Sequence, residues 1–227
     1  MKQDLAGWTL IIDLDGTVIE TAPDLHAALN HVLTLDGLAP VDLDTIRMMI
    51  GDGAKALIRK GLSHNKAPID KTDIDARLWP AFLEHYEANI TRYSHPYEGA
   101  VEALSRLSEH GATLTICTNK AQHLAEQVLS ELDLASRFAA ILGGDRTISK
   151  KPDGAHILET IALAHGDASK AIMIGDSQTD ERAASNAELP FVMVSFGYGR
   201  LSGAPLTHLE KVDHWSEMET AINRIAN

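Results

Sequence analysis

Apolar positions along this chain change their period twice, and each change predicts a different kind of element. From Trp8 to Ile12 they run together and stop at Asp13, the length and content of a strand buried on both faces. From Ala22 the spacing turns helical. Leu25, Ala28, Leu29, Val32 and Leu33 share one face, and Thr21 or Ala22 ahead of Pro23 marks the start. The runs D-L-D-T-I-R-M-M-I and A-K-A-L-I-R-K-G-L predict two short helices separated by a break at Gly51 to Gly53. Leu78, Phe82, Leu83, Tyr86 and Ile90 predict another helix, with Pro80 near its start or kinking it. Residues 18–92 are therefore expected to be helical and poor in strands.

After Tyr93 short apolar runs alternate with amphipathic ones. A helix over 98–109 ends at Gly111, and then T-L-T-I-C-T-N, A-A-I-L-G-G, A-I-M-I-G-D and F-V-M-V-S-F read as strands. Helical patterns separate these strands, one of them near 178–188, and a last helix starts at about Ser216. Strands alternating with helices imply right-handed crossovers and a parallel sheet. The expected fold is α/β, a doubly wound, Rossmann-like parallel sheet. It is built from residues 1–17 and 93–227, with residues 18–92 inserted as a helical block after the first strand.

Composition narrows the partners. The chain has 227 residues, 44% of them hydrophobic, enough for a substantial core. A formal net charge of -12 repels phosphate backbones and anionic lipids, which argues against nucleic acid or membrane as a bulk partner. The single cysteine, Cys117, rules out an internal disulfide framework and is expected in the core. Together with an N-terminal stretch unlike a signal peptide, it points to the cytoplasm. The expected partner is a small molecule, handled by a monomer or homodimer.

Four polar sites lie at or near the ends of predicted strands. They are Asp13 with Asp15, Thr118 with Asn119, the Lys150-Lys151-Pro152 turn, and Gly175-Asp176-Ser177 with Asp180. Taken singly each has an ordinary reading. A D-x-D is commonly a pair of turn residues, Asn119 or Asp176 would serve as a helix cap, and Asp180 would be an exposed helical residue. Eleven histidines show no metal-binding spacing and read as surface or core residues. A doubly wound sheet, however, brings all four sites to one edge. Three to four carboxylates with a lysine and a threonine suit Mg²⁺ and a phosphate group: the hard cation takes oxygen ligands, Lys151 supplies charge and Thr118 a hydroxyl donor. The substrate expected on these grounds is anionic and carries a phosphate group, and one carboxylate could then act as nucleophile.

D-L-D-G-T at Asp13 to Thr17, T-N at Thr118 and Asn119, K-P at Lys151 and Pro152, and G-D-S-Q-T-D at Gly175 to Asp180 resemble, in order and spacing, the four motifs of the haloacid dehalogenase-like hydrolase superfamily. The resemblance implies a small phosphate monoester as substrate, and that Asp13 attacks phosphorus and Asp15 protonates the leaving alcohol and then activates water. It also implies Mg²⁺ on the Asp13 carboxylate, the Asp15 backbone carbonyl and Asp176, with Asp180 as an outer ligand. Thr118 and Lys151 would hold the phosphoryl group, with Thr17 and Asn119 of the same motifs beside it. The helical block would be a cap that closes over the site.

Three further stretches, E-T-A-P-D-L-H-A-A-L-N, I-R-M-M-I-G-D-G-A-K-A-L-I and F-G-Y-G, resemble the bacterial phosphoglycolate phosphatases. The implied reaction is 2-phosphoglycolate plus water to glycolate plus phosphate. Glu20 stands where an aspartate is usual, and Asp153-Gly154 replaces the usual run after K-P. Arg47 and the N–H groups at Gly53 are expected to receive the glycolate carboxylate. The alternatives are a phosphatase or phosphomutase of the same superfamily acting on a sugar phosphate or nucleoside monophosphate, and, from another class, a non-catalytic regulator that binds a phosphate ligand. Intact motifs weigh against the regulator, and the second acid, Asp15, weighs against dehalogenation.

Overall fold

The computed structural model describes residues 4–226. Its centre is a six-stranded sheet of β1 (Thr9–Ile12), β4 (Thr113–Thr118), β5 (Ala140–Gly143), β6 (Ala171–Gly175), β7 (Phe191–Val194) and β8 (Leu209–Val212). The spatial order is β5-β4-β1-β6-β7-β8, and every pairing is parallel. The expected doubly wound sheet is present, with β8 added. L-E-K-V carries little apolar signal because it lies at the sheet edge and only Val212 is buried.

Strand alternation divides the core in two. Leu10, Ile12, Ile116, Ile172 and Ile174 face one layer, which holds α6 (Ala100–Glu109), α7 (Gln122–Glu131) and α10 (Met218–Ala226). Ile11, Cys117 and Met173 face the other, against α8 (Gly154–Leu163) and α9 (Gln178–Asn186). Each fully buried Leu or Ile contributes about 1.5–3 kcal/mol, so this two-sided burial is what holds the strand ends in place.

The helical block leaves and rejoins the sheet layer through a second, two-stranded antiparallel sheet, β2 (Ile19–Glu20) with β3 (His95–Pro96). Strands of two residues are too short for any periodicity to reveal. Between them lie α1 (Ala22–Leu35), α2 (Leu43–Arg47), α3 (Ala54–His64), α4 (Lys71–Asp73) and α5 (Trp79–Glu87). Thr21 stands at the start of α1 with Pro23 in its first turn, as the sequence predicts, although its hydroxyl makes no cap bond and turns to Asp15 instead. The buried Asp24 carboxylate then accepts from the backbone N–H groups of Tyr93 and Ser94 and from the Ser94 hydroxyl, tying the start of α1 to the returning chain. Pro80 sits in the first turn of α5, directly after a π-helical turn over Ile74–Leu78. A proline N cannot donate, so a widened turn ahead of it is a natural junction. In the middle of the block Gly61 lets α3 approach α1; a Cβ there would lie 2.9 Å from Leu29 Cδ1.

Candidate active site

The strand order reverses about β1, and open α/β sheets bind ligands at such a point, beyond the carboxyl ends of the strands. Asp13 follows β1, Thr118 ends β4 and Asp176 follows β6, so three neighbouring strands deliver three of the predicted residues to one edge. The Asp13 N–H donates to the Ile174 carbonyl at 2.9 Å, which extends the ladder one residue and fixes the direction in which Asp13 leaves the sheet.

Lys151 brings in the fourth site. Its ammonium lies 2.9 Å from Asp13 Oδ1 and 2.6 Å from Asp180 Oδ1, with all three side chains buried. His156 Nδ1 accepts from the Lys151 N–H at 3.3 Å, and Nε2 faces the Leu142 carbonyl at 3.2 Å. Burial pushes this histidine down to about 4, so it holds the lysine turn as a neutral ring. Asp180 is not the exposed helical residue its position suggests. It sits in the first turn of α9, where Ser177, not Asp176, is the cap, and the two form a reciprocal capping box.

Asp176 is held from the opposite side by the F-G-Y-G loop. The N–H groups of Tyr198 and Gly199 donate to its Oδ2 at 2.6 and 3.0 Å. A Cβ on Gly197 would lie 2.3 Å from Asp176 Cβ, and one on Gly16, at φ +83, would lie 2.6 Å from Asp176 Oδ2. Both glycines are thus required for backbone to pack against this carboxylate.

Oxygens of Asp13, Asp176 and Asp180 lie within 4.8 Å of one another, a buried set of three hard donors. Burial drives the Asp13 and Asp176 carboxyls well above the usual range; Lys151 pulls Asp13 back, and Asp180 raises both. Such a cluster fits a divalent cation, which would offset the repulsion among the three carboxylates.

Asp15 stands apart from this cluster. Its carboxylate accepts from the Thr21 hydroxyl at 2.7 Å and from Lys120 Nζ at 2.9 and 3.2 Å. Lys120 was not singled out by the sequence, where a lysine after a strand end reads as solvated. It is only 6% exposed, and its ammonium also donates to the Tyr86 hydroxyl of α5 at 2.9 Å.

Asp13, Asp15, Thr118 and Asn119 line one wall of a cavity of about 540 Å³, and Ile50 to Leu57, Arg59 and Tyr86 of the helical block line the other. Gly53 is in that wall as expected. Arg47 is not: it pairs with Glu20 at 3.3 Å and Asp44 at 3.0 Å, outside the cavity lining. The chain turns at Gly51 and Gly53, both at positive φ, so a residue one helical turn upstream does not share the direction of the break. Asn119 is also not a cap, since Ala121 holds that position in α7. Its Nδ2 instead donates to the carbonyls of Gly51 and Lys151, both at 3.0 Å, joining the helical block to the lysine turn. Thr17 is fully buried, its carbonyl accepts from Trp215 Nε1 at 3.0 Å, and its hydroxyl has no partner among the described residues.

A sequence model of the haloacid dehalogenase-like hydrolases matches residues 10–194, which take in all four polar sites from Asp13 to Asp180 and stop short of the F-G-Y-G loop and β8. The chain belongs to that family. It is 44% identical to a phosphoglycolate phosphatase of Caulobacter vibrioides over 195 residues, covering 86% of this chain and 82% of that one. It is 43% identical over 200 residues to a phosphoglycolate phosphatase of Agrobacterium fabrum, covering 88% of this chain and 84% of that one. The crystal structure of a predicted phosphoglycolate phosphatase from Haemophilus somnus superposes with a TM-score of 0.85 at 22% identity, covering 98% of this chain and 99% of that one, which is a likeness of fold. Family and relatives together make the protein a phosphoric monoester hydrolase.

Proposed function

We propose that the protein hydrolyses 2-phosphoglycolate to glycolate and phosphate through an aspartyl-phosphate on Asp13, with Mg²⁺ as cofactor, in the cytoplasm. The observation that carries this reading is the contact of Lys151 with both Asp13 and Asp180, beside Asp176, at the switch point of the sheet. A carboxylate nucleophile buried at such an edge needs positive charge to stay ionised, and Lys151 supplies part of it.

In the first step Asp13 attacks phosphorus, the bond from phosphorus to the bridging oxygen breaks, and Asp15 gives its proton to the departing glycolate hydroxyl. In the second, Asp15 takes a proton from water, the water oxygen attacks phosphorus, and the bond to Asp13 breaks. Asp15 is suited to the proton-transfer role because its carboxylate stands outside the cluster of three acids, in the cavity wall. Lys151 and Thr118 hold the transferring group. Asp13, Asp176 and Asp180, with the Asp15 carbonyl, would hold Mg²⁺, which neutralises charge between the carboxylates and the phosphoryl oxygens when bound. On this reading residues 18–92 are a cap over a core of 1–17 and 93–227, and the cavity between them takes the leaving group.

Purified protein is expected to release phosphate from 2-phosphoglycolate only with a divalent cation, and Asp13→Asn is expected to abolish that release. Turnover by Asp13→Asn removes the nucleophile assignment. Preference for a sugar phosphate or nucleoside monophosphate in the same assay removes the substrate assignment.

A further inference from the structure

Lys120 is a buried cation in the cavity wall with no part in cleavage as described above. A buried ammonium is costly unless its surroundings use its charge. Among the described residues Asp15 is its one ionic partner, at 2.9 Å, and the Tyr86 hydroxyl is its other acceptor, also at 2.9 Å. The ammonium also lies 4.9 Å from the centre of the Tyr86 ring. Tyr86 itself is fully buried, and burial pushes its hydroxyl up to about 12, so it stays a neutral partner. An ammonium has three donors; two meet Asp15 Oδ1 and Oδ2 at 2.9 and 3.2 Å and one the Tyr86 hydroxyl, so a ligand carboxylate in the cavity would take over the longer Asp15 contact.

We propose that Lys120 recognises the substrate carboxylate and that Tyr86, delivered by the helical block, aims it. The inference rests on the reading of Asp15 as the group that meets the bridging oxygen. In 2-phosphoglycolate only two bonds separate that oxygen from the carboxylate carbon, so the carboxylate oxygens lie within about 4 Å of it. Wherever Asp15 reaches the bridging oxygen, the carboxylate falls beside Asp15, and Lys120 is the cation there. Other basic side chains in the wall are engaged elsewhere. Lys55 pairs with Asp75 at 2.6 Å, His123 with Glu87 at 3.0 Å, and Lys150 donates to the Asp52 carbonyl at 2.9 Å. Arg59, on α3, makes no hydrogen bond or ion pair among the described residues and is the competing candidate.

The test compares 2-phosphoglycolate with ethyl phosphate, which has the same length and a methyl group in place of the carboxylate, and reads the ratio of their kcat/KM values. Lys120→Met is expected to lower that ratio about 10–100-fold, the scale of a charged hydrogen bond, with a raised KM for 2-phosphoglycolate. Tyr86→Phe, which keeps the ring, is expected to lower it several-fold, and Arg59→Gln to leave it within about twofold of wild type. A ratio kept by Lys120→Met while both rates fall would mean that Lys120 only positions Asp15, and overturns the proposal. So does a collapse confined to Arg59→Gln. If Lys120→Met does not fold, Tyr86→Phe decides: an unchanged ratio overturns the proposal. A wild-type ratio near one removes the phosphoglycolate reading itself, and this inference with it.

Discussion

Lys151 is held between two acids of unequal standing. Asp13 is the proposed nucleophile, whereas Asp180 reaches Lys151 from α9 and is itself fixed by the Ser177 hydroxyl at 2.6 Å. Asp180→Asn keeps the shape and removes the charge that shares Lys151 with Asp13. It is expected to lower kcat/KM or metal affinity about 10–100-fold, as loss of an outer partner in a metal site commonly does, and steady-state assays across a metal titration check this. At this scale the sequence was legible where spacing along one strand was enough. Asp13 and Asp15 follow from an apolar run that ends in alternating acids. Lys120 was not legible, because its burial depends on Tyr86, which is distant in sequence and lies on a helix of the inserted block. Arg47 shows the opposite limit: it is close to Gly53 along the chain, but the turn at Gly51 to Gly53 directs its side chain toward Glu20 rather than into the cavity lining.

The helix α9 and the F-G-Y-G loop grip the acidic cluster from two sides. Ser177 caps α9 and also accepts from the Asp180 N–H at 3.3 Å, so Ser177→Ala should cost about 1 kcal/mol, as lost caps do. In a protein of this size that is a melting-temperature loss of about 2–4 °C, measurable by calorimetry. Gly197→Ala should cost more, about 1–3 kcal/mol, since its Cβ would meet both Asp176 Cβ and the Gly16 carbonyl at 2.4 Å or less. A melt that is unchanged in Gly197→Ala would contradict the close packing described. The strands of the central sheet were readable as apolar runs bounded by turn residues, because burial on both faces leaves only threonines, which favour strands, among their apolar positions. The edge strand β8 and the pair β2 and β3 were not, being either half-exposed or two residues long.

Across the whole molecule the clustered acids make stability depend on pH and metal together. Asp13 and Asp176 are raised by burial and by neighbouring carboxylates, so the folded, metal-free protein keeps protons that the unfolded chain releases. Stability of that form should therefore fall as pH rises above about 4, the ordinary carboxylate value, and go on falling until the raised values are passed. Bound cation removes the penalty. The gap in melting temperature between Mg²⁺-loaded and EDTA-treated protein is expected to widen from about pH 5 to about pH 8, and a constant gap would show that the cluster does not hold the ion. The paired strands β2 and β3 carry a different consequence. The inserted block departs at Ile19 and returns at Pro96, residues that face each other across one ladder, so the core sees the same two adjacent chain ends whatever lies between them. Such an insert is a cassette. A graft that replaces the helices between Ile19 and Pro96 is therefore expected to leave the six-stranded sheet folded, while the block's own contacts to Asp15 and Lys120, from Thr21 and Tyr86, would go with it.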